Sequence, residues 1–372
     1  MVSFFDGFEL PPFFSPYGET QHPDYPELER RCIQWCDDSD LYPNPVARAW
    51  GITGTRPSLL HAWVCHQADP ERLLPVLLWG YWVFAVDDAH EAEDVGTTCA
   101  RPGPRDGLSG MIDLAARVLC GSAGSECIVG GSSRYAHLIA DITDQMRACG
   151  ATHTQIHRIV QDLQRWMVGE LWTATNNTEP RSIPTIEAFT LQRLASVGSY
   201  PAYSLASYAN DCHISDTELH EPAVQAATNA GAFVTAWDND LISYPKEEFH
   251  DEANTNIVTV MAGKLGCSPQ DAVSEVVAIR DRVMSLFLAL RDQITPTASH
   301  DLIRHLDCIG QFTRANLDWS ASVPRYSVIN DHKTPPPATA PEVPLEWTAR
   351  PSDTSMQPVD IPPIAWWWDT VK

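Results

Sequence analysis

Three oxygen-bearing side chains recur at one-turn intervals in WDNDLISYPKEE, residues 237–248. Asn239, Ser243 and Glu247 fall at i, i+4 and i+8, which on an α-helix keeps them within about 80° of one face. An amide, a hydroxyl and a carboxylate together suit a hard cation, and with one formal charge from protein they leave room for a multiply charged ligand. A second group, AVDDAHEAED at 85–94, follows the apolar run LLPVLLWGYWVF. Asp87 and Glu91 stand one turn apart on one helix face, with Asp88 about 100° round. Like charges at that spacing repel, and a shared cation relieves the repulsion. Oxygen-only ligands suit Mg²⁺, which keeps its waters and favours one or two carboxylates plus substrate phosphate oxygens.

Elements must hold these groups in place. Residues 71–86 carry little but apolar and aromatic side chains, so they read as a helix buried nearly all round, and Asp87 continues it from inside the core. Helical periodicity recurs at 24–40, 56–67, 71–93, 107–120, 133–148, 153–175, 184–210, 218–244, 268–295 and 297–320, separated by turn-rich breaks; strand-like alternation is almost absent and no repeat stands out. The fold expected is all-α, a single-domain antiparallel bundle of about ten helices around a deep apolar cavity, with the two oxygen-bearing groups facing each other across its mouth. Pro245 removes one helix hydrogen bond and marks either a kink or a helix end. An N-terminal segment at 1–23 precedes a helical domain at 24–326. The proline-rich tail, 327–372, reads as mobile or as an extended arm across the surface. Periodicity ends before 335, so deletion beyond that point is expected to leave the body folded, although AWWWD is odd for a disordered tail and is a candidate to dock.

The net charge of −23, from 25 basic and 48 acidic residues, disfavours nucleic-acid binding, and an anionic substrate needs local cations or metals. No uninterrupted apolar stretch reaches about 20 residues, so no membrane span is expected. The N-terminus, MVSFFDGFELPPFFSPYG, carries acids and prolines where a signal peptide has a basic start and an apolar run, and a cytoplasmic location is expected. Ten cysteines include no CxxC pair; Cys32 and Cys36 read as coincidence rather than a metal site, and reduced thiols are expected.

The two groups resemble the motifs of class I terpene synthases: the aspartate-rich DDxx(D/E), here Asp87-Asp88-Ala89-His90-Glu91, and the ND(L/I/V)xSxxKE triad, here running from Asn239 to Glu247. The triad match is complete, and the first motif ends in Glu. FTLQRLASVGS resembles the segment of bacterial-type members that carries a diphosphate-sensing arginine, here Arg193, and WSASVPRYS resembles their C-terminal Arg-Tyr pair, here Arg325 and Tyr326. NTNIVTVMAGKLGCSPQDAV is also similar, so the resemblance covers about 24–326. It implies three Mg²⁺ ions on Asp87, Glu91, Asn239, Ser243 and Glu247, and a linear prenyl diphosphate gripped by Arg193, Lys246, Arg325 and Tyr326. Charge stabilisation then ionises the substrate, with Asp87, Arg193, Asn239, Ser243 and Glu247 as the catalytic set, and the allylic cation cyclises in a pocket that excludes water. The turn near Ser196 and Val197 is expected to shift on ligand binding, and Gly198 permits the bend.

Among Trp79, Tyr81, Trp82 and Phe84, core packing accounts for any single ring. Phe84, one turn before Asp87, is best placed to line the cavity and present its π face to a cation; Trp237 and Trp319 are weaker candidates, and Val197 is expected to line it too. His90 has no assigned role, and DDSD at 37–40 reads as a solvated turn. Farnesyl diphosphate is the expected substrate, with geranylgeranyl diphosphate as the alternative. A chain-elongating prenyl diphosphate synthase and a non-catalytic helical binding protein are the rival readings, and a homodimer is an admissible assembly.

Overall fold

The computed structural model describes residues 7–94, 133–176, 183–250, 253–329 and 333–372. Helix α1 (Tyr25–Asp38) is followed by α2 (Pro45–Ala49), whose Asn44 cap accepts from the amides of Val46 and Ala47. A π-helical turn, Trp50–Thr55, leads to α3 (Pro57–Val64) and α4 (Pro70–Asp94). The expected 107–120 helix lies outside the described residues. Then come α5 (Ser133–Ala148), α6 (His153–Asn176), α7 (Ile186–Ser196), α8 (Ser199–Ala209), α9 (Asp216–Leu219) and α10 (Pro222–Phe249). α11 (Ile257–Leu265), α12 (Pro269–Ile294), α13 (His300–Ser322) and the short α14 (Pro324–Ser327) complete the bundle. Side chains of Thr185, Asn256, Ser268 and Ser299 cap α7, α11, α12 and α13 by accepting from first-turn amides, which satisfies donors a helix start leaves unpaired. Among the described residues no helix is long and apolar enough to cross a membrane, and the described cysteines, Cys32 and Cys36 included, are free thiols.

α10 is the central element. It is buried from Val224 almost continuously to Pro245 and packs against α12 and α13. A helix buried on nearly all sides has no solvent face, so its acids Asp238 and Asp240 find arginine partners inside the protein. Pro245 neither ends it nor stops its last turn, since α10 continues to Phe249. α4 packs on α3 and α5, and Trp79, Tyr81 and Trp82 are all in the core. Each such ring contributes about 1.5–3 kcal/mol of apolar burial.

Two outcomes differ from the periodic pattern. The 184–210 stretch is two helices, α7 and α8, parted at Gly198, whose φ of 73° is the left-handed conformation that glycine adopts without strain. α6 approaches this break closely: a Cβ on Gly169 would lie 2.5 Å from the Ala195 carbonyl carbon. The tail, in turn, is an arm that closes onto the body. Strand β1 (Phe13–Phe14) pairs in parallel with β2 (Trp347–Thr348), and the Val343 amide donates to the Ala321 carbonyl at 3.1 Å. Val343, Val359, Ile361, Ile364, Trp367 and Trp368 are buried, Ile364 within the short helix α15 (Pro362–Ala365). Because these side chains complete the core, the expectation that deletion beyond 335 is harmless is revised.

Candidate active site

α14 places two adjacent residues, Arg325 and Tyr326, between the motifs. The Arg325 guanidinium donates to Asp88 Oδ1 at 2.5 Å and to Asp87 Oδ2 at 3.2 Å, at the end of α4. The Tyr326 hydroxyl accepts from Asn239 Nδ2 at 3.0 Å, on α10. One dipeptide thus spans the aspartate-rich motif and the triad, and the two face each other as the sequence implied. Burial, opposed by Arg325, holds the Tyr326 phenol above its ordinary pKa, so its hydroxyl stays protonated.

Three consecutive residues of α10 point in three directions, as successive 100° steps of a helix require, with Arg193 reaching both Asn239 and Asp240. Asp238 meets α12, Asn239 meets Tyr326, and Asp240 meets α7. Arg193 Nε donates to Asp240 Oδ1 at 2.8 Å and its Nη2 to Asn239 Oδ1 at 2.8 Å. Burial works against the Arg193 charge, but Asp240 outweighs it and holds the pKa above its ordinary value. For Asp240 burial dominates and pushes the carboxyl up to about 6, with Arg193 opposing. The charge-assisted geometry supports an ionised pair at neutral pH.

Ser243, one turn after Asn239, is buried and donates weakly to the Asp240 carbonyl at 3.4 Å. Glu247, a further turn on, is half-buried, and its Oε2 accepts from Asn256 Nδ2 at 2.9 Å. Asn256 also donates to the Asp240 carbonyl at 2.9 Å while its own Oδ1 caps α11. Sequence reading missed Asn256, although an asparagine just ahead of the apolar run IVTVM is a helix-start signal. Lys246 is half-buried beside Pro245. Phe84 is half-buried, 5.3 Å from Trp319 between ring centroids, with the Arg325 guanidinium carbon 5.1 Å from its centre. Trp319 is itself 5.6 Å from the Tyr326 ring. Val197 caps the end of α7 and is half-buried against the core. The Glu91 side chain, like that of His90, lies outside the described residues.

The donor set fits a divalent hard cation. Among the described residues no three His, Cys, Asp or Glu side chains cluster as a metal site; what α10 offers is the mixed amide, hydroxyl and carboxylate set. Asn239 Oδ1 accepts from Arg193 yet has a second lone pair, and Glu247 has a second oxygen beyond the one Asn256 holds. The hydroxyl of Ser243 donates and so keeps its acceptor capacity.

Comparison with known proteins identifies the family. The family model of terpene synthase family 2, C-terminal metal binding, matches residues 78–285. Spiroviolene synthase from Streptomyces violens is 30% identical over 97% of both chains. 4-epi-cubebol synthase from Streptosporangium roseum, whose name states that it cyclises (2E,6E)-farnesyl diphosphate, is 24% identical over 86% of this chain and 92% of its own. Among solved structures, the SVS_A2 protein from ancestral sequence reconstruction superposes with a TM-score of 0.77 at 30% identity, covering 97% of this chain and 99% of that one. With a family model that matches over half of its length, an all-α fold among the described residues and a relative that spans nearly the whole chain, the chain belongs to the class I terpene synthases and is a terpene cyclase of the family whose model describes a metal-binding domain.

Proposed function

We propose that this cyclase is Mg²⁺-dependent, that it uses three ions with substrate, and that it converts a linear prenyl diphosphate to a cyclic terpene with release of diphosphate. Asp87, Glu91, Asn239, Ser243 and Glu247 would hold the metal; Arg193, Lys246, Arg325 and Tyr326 would bind the diphosphate; Phe84 and Val197 would line the cavity. The observation that carries this reading is the Arg325–Tyr326 dipeptide, which bonds to Asp87, Asp88 and Asn239 together. When bound, Mg²⁺ supplies positive charge that stabilises the departing diphosphate.

The protein's own residues do the rest. Arg193 and Arg325 rest on carboxylates and would give phosphate oxygens the same charge-assisted contacts. Asn256 fixes the Glu247 carboxylate, and Tyr326 fixes the Asn239 amide, so both donors are oriented before substrate arrives. The allylic C–O bond would break with its electron pair leaving on the diphosphate, and half-buried Phe84, near Arg325, would offer its π face to the carbon cation that remains. The turn at Val197–Gly198, covalently continuous with Arg193, is suited to move as Arg193 exchanges partners.

Farnesyl diphosphate is the proposed chain length, supported by the substrate named for the 4-epi-cubebol synthase relative; a cytoplasmic location accords with a water-borne diphosphate substrate. Incubation with Mg²⁺ and, separately, geranyl, farnesyl and geranylgeranyl diphosphate, read by gas chromatography, tests it. A cyclic product from farnesyl diphosphate is expected. Cyclic product from geranylgeranyl diphosphate alone moves the chain length to C20, and a longer diphosphate or no Mg²⁺ requirement overturns the reading.

A further inference from the structure

We infer that Arg280, which lies outside both motifs, is a positioning residue for the triad: it locks the rotation of α10 through Asp238, and the two ends of the described chain close over the lock. This inference rests on the triad being the metal-binding face.

Asp238 immediately precedes Asn239 and sits about 100° from it around α10. Arg280, on α12, grips it with two parallel hydrogen bonds, Nε to Oδ1 at 2.8 Å and Nη2 to Oδ2 at 2.9 Å. The third nitrogen, Nη1, donates to the Phe14 carbonyl in β1 and to Asp281 Oδ1. Asp281 Oδ2 in turn accepts from the amide and hydroxyl of Ser352, at 2.7 and 2.8 Å, in the C-terminal arm. The side chains of Arg280, Asp238 and Asp281 are all 0% exposed. Trp367 of the same arm packs edge-on to Phe233, which stacks 4.2 Å from Trp237 on α10. Strand β1, the arm at Ser352 and α12 thus converge on Asp238, while Trp367 backs the neighbouring face of α10 that carries Phe233 and Trp237.

A buried ion network adds little net stability over well-packed apolar residues of the same volume. What a planar two-point fork does supply is orientation. Side chains on a rigid helix share its rotation, so fixing Asp238 fixes the direction of Asn239, Ser243 and Glu247 relative to Asp87. A small misplacement of catalytic groups is costly in rate, and supporting residues of this kind set that placement.

The test uses the full chain titrated with Mg²⁺ and inorganic diphosphate, by calorimetry and by ligand-induced rise in Tm, together with the product profile. Arg280→Met is expected to weaken Mg²⁺–diphosphate binding at least tenfold and to raise the share of acyclic product. Arg280→Lys, which keeps the charge but not the fork, should fall between Arg280→Met and wild type. Leu28→Ala, a core truncation on α1, serves as the reference: it should lower Tm and leave binding unchanged. A folded Arg280→Met variant with wild-type binding and products overturns the inference and leaves only a stability role. Should Arg280→Met not fold, Asp238→Asn decides, since it keeps the shape and loses the charge: threefold or greater weakening supports the lock, and wild-type binding overturns it. Asn239→Ala in the same titration separates the two levels. Wild-type binding there overturns the metal reading of the triad itself, whereas loss of binding there with no effect at Arg280 overturns only the lock.

Discussion

The end of α4 and the middle of α10 present oxygen ligands in opposite ways. At α4 two carboxylates, Asp87 and Asp88, share the guanidinium of Arg325, and both are partly open to solvent, 34% and 28% exposed. At α10 the flanking acids are each matched to an arginine, Asp238 to Arg280 and Asp240 to Arg193, and both are buried. The residues between and after them supply an amide, a hydroxyl and one carboxylate, tied by Tyr326 and Asn256. One site therefore carries charge that a cation would compensate, while the other carries geometry that is already fixed. This division follows from position: Asp87 and Asp88 are both part-exposed, whereas Asn239 stands between two fully buried acids on α10.

The most damaging change expected is removal of residues beyond 335, which would strip support from α10 while leaving α4 its neighbours. Six buried apolar side chains would be lost, each contributing up to about 1.5–3 kcal/mol, against a typical total stability of about 5–15 kcal/mol. Loss of soluble, cooperatively melting protein is the outcome, read by expression and calorimetry. Next, Asn239→Ala or Glu247→Ala should reduce turnover by about 10³-fold or more with helical content intact, since both are only half-buried and are proposed to meet metal rather than core; circular dichroism alongside diphosphate release checks this. Asp87→Asn should cost less, about 10²-fold, because Asp88 remains to share the local charge, and should divert flux to acyclic products seen by gas chromatography. If Asp87→Asn proves as severe as Asn239→Ala, the contrast between the two sites fails. The smallest effect is expected from Asp360→Asn, equal in formal charge but 94% exposed beside Lys264: turnover unchanged and stability within about 0.5 kcal/mol.

The long helices were legible because their apolar residues repeat at helical spacing, and the triad was legible because i, i+4, i+8 survives as a face once α10 forms. Arg193, implied by resemblance, does touch Asn239. What escaped depends on partners distant in sequence. α11 was not singled out, because its IVTV core is β-branched and short, equally suited to a strand. Asn256 carries a recognisable cap signal, yet its bond to Glu247 exists only after α10 and α11 fold together. The bend at Gly198 was implied by the resemblance although it sits within a continuous periodic stretch; the close approach of Gly169 that accompanies it has no local signature. The tail read as mobile or as an extended arm because proline prevents regular helix; what decides for the arm is Trp367 meeting Phe233 and Ser352 meeting Asp281.

Pairing of Phe13 with Trp347 also sets the order of assembly. A contact between residues near opposite ends of the described chain closes a loop of nearly its whole length, the kind of contact that forms late and slows folding. During synthesis from the N-terminus, α4 and the triad helix emerge long before the arm that backs them. Until residues up to Trp368 have left the ribosome, β1 lacks its partner strand and the wall behind Phe233 and Trp237 stays open. A nascent chain that has reached Tyr326 would therefore carry every proposed ligand while the wall behind the triad helix is still open, and the arm would be what closes it.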